Sequence, residues 1–295
     1  MKYATAAAFR VALEHRLSTY SQQRAIPLVR LRKLVVFDRL LARLMIVAPN
    51  RWVLKGAVAL NFRAGSQFRT TKDLDISRQD SEELATQDFL AVQALDLDDF
   101  FSFAIERTAD LAVVMQGATV RYHVTAQLAG RRFDDVTVDV NFGDPVLAEP
   151  DLVSGPNLLS FANISPAKVP ILPLEQHVAE KVHAYTRRYA AGNQSTRVKD
   201  LIDIVMISSS FVLKAERLQQ ALTATFDSRN THKLSTVLPS PPTEWRIAYR
   251  RIAVEVGLDP HLETGYEQAK TFLDPLLAGI VTDTKHWSPT VHVWQ

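Results

Sequence analysis

Residues 69–77 read RTTKDLDIS, and the rest of the chain is best understood outward from that stretch. Asp73 and Asp75 stand one residue apart in what otherwise looks like a buried strand, with Leu74 and Ile76 as the alternate residues. Side chains on a strand repeat every second residue, so both carboxylates project from one face. Held side by side they repel, which costs free energy unless a cation, a proton or a basic group lies between them. A divalent metal suits such hard oxygen donors, and a metal held this way carries phosphate oxygens of a nucleotide. Taken alone, the pair also fits a solvated strand end with a capping aspartate.

Upstream, RWVL (51–54) reads as a short strand entering KGAVALNFRAG (55–65), a helix opened by Gly56 and ended near Gly65. The loop SQFRTTK (66–72) then leads into the acidic strand. Residues 5–48 show helical spacing, clearest where Leu31, Leu34, Val35, Leu41 and Leu44 form an apolar face. Downstream, a helix is expected from Ser81 to about Ala94 and a strand over 100–109. The segments ATVRYHVTAQLAG (118–130) and RRFDDVTVDVNFG (131–143) alternate strongly on either side of a turn at Gly130, which predicts a hairpin. In its second strand Val136, Val138 and Val140 share one face, and Thr137, Asp139 and Asn141 the other.

The stretch 143–172 is rich in proline and turn formers, which places a lobe boundary there and divides the chain into 1–145 and 146–295. Beyond it helices are expected over 173–190, 196–210, 213–228, 242–255 and 262–279. The tail VTDTKHWSPTVHVWQ has no helical period, and its Trp287 and Trp294 either dock on the body or stay loose.

Composition sets limits. At 295 residues, 47% hydrophobic and 22% charged, the chain has the make-up of a folded protein long enough for two lobes. The absence of cysteine excludes disulfides, thiolate metal sites and cysteine nucleophiles. The N-terminus lacks the continuous apolar core of a signal peptide, and no stretch approaches a membrane span, so a cytoplasmic protein is expected. The net charge of +2 neither demands nor excludes nucleic acid. His177 and His183 have the wrong spacing for a zinc-binding helix, and Ser208–Ser210 lacks a nucleophile elbow. RRY (187–189) and YRR (249–251) mix arginine with tyrosine in a way that suits gripping RNA and stacking a base, or an ordinary helix face.

A helix that starts on a glycine straight after a strand offers free N–H groups and partial positive charge to a phosphate. With Asp73 and Asp75 on the neighbouring strand, a divalent ion and a triphosphate complete one another's coordination. Asp139, if its strand pairs beside this one, is placed to help hold a second metal or to take a proton from an attacking hydroxyl. Lys55, Arg69 and Lys72 are near enough in sequence to neutralise phosphate charge.

LKGAVALNFRAG followed by RTTKDLDIS resembles the nucleotidyltransferase toxins of the AbiEii/AbiGii family, which includes the MenT-type toxins of mycobacteria. That family carries a Gly-Ser or Gly-Gly turn, a spacer and Asp-x-Asp within a DNA polymerase β-like fold. Here the turn reads Gly56-Ala57, which lacks the serine hydroxyl and leaves backbone N–H groups to meet a phosphate. PLEQHVAEKVHAYTRR and, after a polar loop, TRVKDLIDI resemble the later motifs of the same family. Carried over by position, these supply Lys181, Arg197, Lys199, Asp200 and Asp203. The resemblance implies that Lys181 contacts the triphosphate and that Asp203 positions that lysine or another basic group. Helical spacing by itself also lets Lys199 face Asp203, and His177 face Lys181.

The expected fold is α+β: a mixed-sheet nucleotidyltransferase core flanked by helices, followed by a mainly helical C-terminal lobe. The expected activity is Mg²⁺- or Mn²⁺-dependent transfer of a nucleoside monophosphate from an NTP to an acceptor hydroxyl. The resemblance points to the 3′ end of tRNA as acceptor, with translation blocked as the result, and to an antitoxin protein as partner. Two alternatives stay open: nucleotidylation of a protein hydroxyl by the same site, and a catalytically silent nucleotide- or RNA-binding module.

Overall fold

The long helical stretch near the N-terminus breaks in two in the computed structural model, which describes residues 2–65, 68–108, 118–143, 146–187 and 197–295. Helix α1 (Ala6–Arg24) starts where the Thr5 side chain accepts a hydrogen bond from the Ala8 N–H, and ends at Ala25 in the left-handed region, φ 52°. Pro27 then opens α2 (Leu28–Val47). A proline has no N–H to donate and pushes the residue before it away from helical geometry, so a single apolar period yields two helices. Helix α2 is buried over most of its middle and carries charges inward: Arg43 donates to both Asp99 oxygens at 2.9 and 2.7 Å.

After α2 come β1 (Val53–Lys55), α3 (Gly56–Arg63), β2 (Asp73–Arg78), α4 (Glu82–Ala94), β3 (Phe101–Arg107), β4 (Ala118–Leu128) and β5 (Arg131–Phe142). The turn-rich stretch holds two further strands, β6 (Asp151–Ser154) and β7 (Lys168–Ile171). Among the described residues these strands form one seven-stranded sheet in the order β3-β4-β5-β2-β1-β7-β6. The sheet is mixed: β2 runs antiparallel to β1 and parallel to β5, and β1 runs parallel to β7. The β4–β5 hairpin turns through Ala129 and Gly130, φ 56° and 66°, the positive pair that a tight two-residue turn requires. Leu54, Leu74, Ile76, Val138 and Val140 are fully buried on one side of the sheet, in the same core as α2. The opposite side carries Asp73 and Asp75 of β2 and Thr137, Asp139 and Asn141 of β5.

The chain divides into two compact units: Met1–Val146 with Pro150–Leu172, and Leu147–Glu149 with Pro173–Gln295. Strands β6 and β7 thus belong with the sheet, because β7 pairs with β1 at Leu54 and Ile171.

The second unit contains α5 (Leu174–Thr186), α6 (Val198–Ser210), β8 (Leu213–Lys214), α7 (Ala215–Arg229), α8 (Arg246–Glu255), α9 (Leu262–Leu277), β9 (His286–Ser288) and β10 (Val293–Trp294). The tail is docked. Strands β8, β9 and β10 form a small ribbon, the buried Trp287 donates its indole N–H to the Ser208 carbonyl at 2.6 Å, and Trp294 stacks on Phe272. Helix α8 buries Tyr249 completely and leaves Arg250 and Arg251 exposed, so that tyrosine is not available to stack a base. Of the other arginine–tyrosine group, Arg188 and Tyr189 lie outside the described residues. No described helix is long and apolar enough to cross a membrane.

Candidate active site

Strand β2 alternates as its sequence requires: Leu74 and Ile76 are buried in the core, and Asp73 and Asp75 are half-buried on the other face. Asp75 stands in register with Asp139 on β5 and with Lys55 on β1. Asp139 is in turn in register with Arg121 on β4. Four neighbouring strands therefore present one transverse row of charges, Lys55, Asp75, Asp139 and Arg121, with the acids in the middle. Neighbouring strands of a sheet lie about 4.7–4.9 Å apart, so the two carboxylates of the row share one local field.

Gly56 begins α3 with φ +69°, and a Cβ there would overlap the Asp75 carboxylate. A left-handed backbone and an occupied Cβ position both demand glycine at this point. The carboxylate thus sits against the first residue of a helix, beside the N–H groups left unpaired at that end. Ala57 is buried, and its carbonyl accepts from the Asn61 side chain at 2.9 Å. Asn61 also donates to the Arg69 carbonyl at 3.3 Å, and Arg30 to Thr70 at 2.9 Å, which anchors the end of the loop before β2. Arg69 is buried and Lys72 exposed.

Arg121 is the charged residue of this row that the sequence did not single out. Its guanidinium donates to both oxygens of Asp139, each at 2.7 Å. These hydrogen bonds raise the Arg121 pKa further above the usual guanidinium range, and the charges of Asp139, Asp73 and Asp75 add to the effect. In VRYHV Arg121 alternates with the buried Val120 and Tyr122, but only the strand register sets it opposite Asp139.

In the second unit Lys181 on α5 donates to Asp203 on α6 at 2.6 Å and lies 3.4 Å from Asp200. Lys181 is 7% exposed and Asp203 fully buried. Asp203 therefore faces inward to the neighbouring helix, whereas Lys199, the partner that spacing along α6 allowed, is exposed. Arg197 stands 3.7 Å from Asp200 at the start of the same helix. The structure thus brings together Lys55, Gly56, Asp73, Asp75 and Asp139 in one unit, and Lys181, Arg197, Asp200 and Asp203 in the other.

The first group fits a divalent ion carried by a triphosphate. Asp73 and Asp75 supply hard oxygens from one face, and the missing Cβ of Gly56 lets the Asp75 carboxylate lie against the start of α3. Among the described residues no three His, Cys, Asp or Glu side chains are disposed to hold an ion by themselves; an ion held by Asp73 and Asp75 would take its remaining oxygens from a nucleotide or water.

Residues 39–279 match a family model described as nucleotidyl transferase AbiEii toxin, type IV TA system. Among solved structures, the chain is similar to MenT4, a nucleotidyltransferase toxin from Mycobacterium tuberculosis H37Rv: 17% identity, 91% of this chain and 99% of that one covered, TM-score 0.56. At that identity the likeness speaks for the fold. JHP933 from Helicobacter pylori is 16% identical over 82% of this chain and 89% of that one, at a TM-score of 0.43 that carries no argument. No functionally curated protein matches the sequence.

Proposed function

This chain belongs to the AbiEii nucleotidyltransferase toxin family of type IV toxin–antitoxin systems, and from that premise we propose that it moves a nucleoside monophosphate from an NTP to the 3′ end of tRNA. The acceptor hydroxyl gives its proton to the Asp139 carboxylate or to water, its oxygen bonds to the α-phosphorus, the bond to the bridging oxygen breaks, and pyrophosphate leaves. A tRNA extended in this way no longer accepts an amino acid, and translation stops. An antitoxin partner restrains the activity in the cytoplasm, where NTP and tRNA are found.

The observation that carries this reading is the alignment of Asp73 and Asp75 on one face, against Gly56 at a helix start and with Asp139 in register beside them. Asp73 and Asp75 would hold Mg²⁺ or Mn²⁺, which when bound draws charge from the triphosphate and eases attack at phosphorus. Gly56 and Ala57 bring backbone N–H groups to the phosphates. Lys55, Arg69 and Lys72 add positive charge in the same unit. The family resemblance, and not a placement of one unit on the other, gives Lys181, which donates to Asp203 at 2.6 Å, a role at the triphosphate, with Arg197 and Asp200 beside it and Lys199 exposed on α6.

The test is incubation of the purified protein with each labelled NTP, Mg²⁺, total RNA and cell protein. Label in tRNA supports the reading. Label in protein alone replaces tRNA with a protein hydroxyl as acceptor, and nucleotide binding without transfer makes the chain a silent binding module.

A further inference from the structure

The charge row contains more positive charge than a site awaiting two divalent ions needs. Asp139 is the residue through which a second ion would enter, since it stands beside Asp75 on the next strand. Both of its oxygens are already engaged, at 2.7 Å each, by the fork of Arg121. A guanidinium cannot give up its charge at any ordinary pH, and its planar fork matches a carboxylate better than an ammonium does. The pair is partly exposed, 36% for the Arg121 side chain and 16% for Asp139, and lies in register with Asp75. Displacing it costs a charge-assisted, two-pronged interaction, among the stronger hydrogen-bonded contacts a protein makes.

We propose that Arg121 is the resident counter-ion of this site: it withholds Asp139 from metal coordination, so that the site takes a single divalent ion through Asp73 and Asp75. This rests on the nucleotidyltransferase reading above and deepens it. The role of Arg121 is one of positioning, acting through Asp139. Two carboxylates in register would otherwise repel across the β2–β5 pair, and Arg121 relieves that repulsion from the outer side of Asp139, opposite Asp75.

The test counts bound Mn²⁺ by electron paramagnetic resonance in the presence of non-hydrolysable NTP analogues. The wild-type protein is expected to bind one ion. Asp75→Asn should weaken that ion by about tenfold or more, whereas Asp139→Asn should leave it within about twofold, because only the first is a ligand. Arg121→Met, which frees Asp139, should add a second ion or tighten Mn²⁺ binding about tenfold, and Arg121→Lys should fall between the two. The double variant Arg121→Met with Asp139→Asn should return to a single ion. A loss of Mn²⁺ affinity in Asp139→Asn equal to that in Asp75→Asn overturns the inference, as do two ions bound by the wild type. Should Arg121→Met not fold, the Asp139→Asn comparison decides by itself. Binding of no Mn²⁺ by the wild type, or binding that ignores Asp75→Asn, removes the metal reading beneath the inference as well; the other adverse outcomes remove only the role of Arg121.

Discussion

The carboxylate of Asp75 occupies the space that a side chain on Gly56 would need. The helix start and the acidic strand are therefore fitted to each other at the atomic level, and the fit has a price in permitted sequence. Gly56→Ala has to accommodate φ +69° as well as the overlap. The backbone penalty is about 1–2 kcal/mol, and relief of the overlap moves Asp75. The expected result is a loss of nucleotide transfer of about 100-fold or more in a protein that still unfolds cooperatively in urea. Transfer within a few-fold of wild type would show that Asp75 does not need its present position.

The Lys181–Asp203 pair makes a separate prediction about stability. Lys181→Met leaves the fully buried Asp203 without its ammonium, at a cost of about 3–5 kcal/mol. Replacing both, as Lys181→Met with Asp203→Leu, should recover most of that stability in a urea titration while transfer stays absent. A double variant as unstable as the single one would mean that the pair is not the source of the loss.

His232 gives the second unit a dependence on pH. It is hydrogen-bonded to Thr186 at 2.8 Å and packs against His183. Burial lowers its pKa below the ordinary histidine value, and the charge of Arg187 lowers it further. The unfolded chain therefore binds this proton more readily than the folded one. Its contribution to stability is complete above about pH 6.5 and is lost as pH falls from there through the lower folded pKa. The thermal midpoint should decline on acidification through that window, and His232→Gln should flatten this part of the profile. An unchanged slope in His232→Gln would assign the acid sensitivity to other groups.

The elements whose signals are local were legible in the sequence. The alternation of RTTKDLDIS put Asp73 and Asp75 on one face, Gly130 marked the hairpin turn, and the apolar periods located the helices. Features set by long-range pairing were not. Strands β6 and β7 are four residues each in a proline-rich stretch, and β7 becomes a strand because β1 offers it an edge. Arg121 looked like one polar residue among several until the register set it opposite Asp139. Asp203 was open to pairing along its own helix, but burial turned it toward Lys181 on the neighbouring one. Tyr249 lies next to two exposed arginines in sequence, yet its ring is in the core, since successive positions on a helix point in different directions.

The most direct measurement is the anomalous scattering of Mn²⁺ in crystals soaked with the ion and a non-hydrolysable NTP analogue. A manganese peak is expected within coordination distance of both Asp73 and Asp75, with triphosphate oxygens completing its shell and the phosphates against Gly56. No peak beside those two aspartates, or an undiminished peak there in crystals of Asp75→Asn, would contradict it.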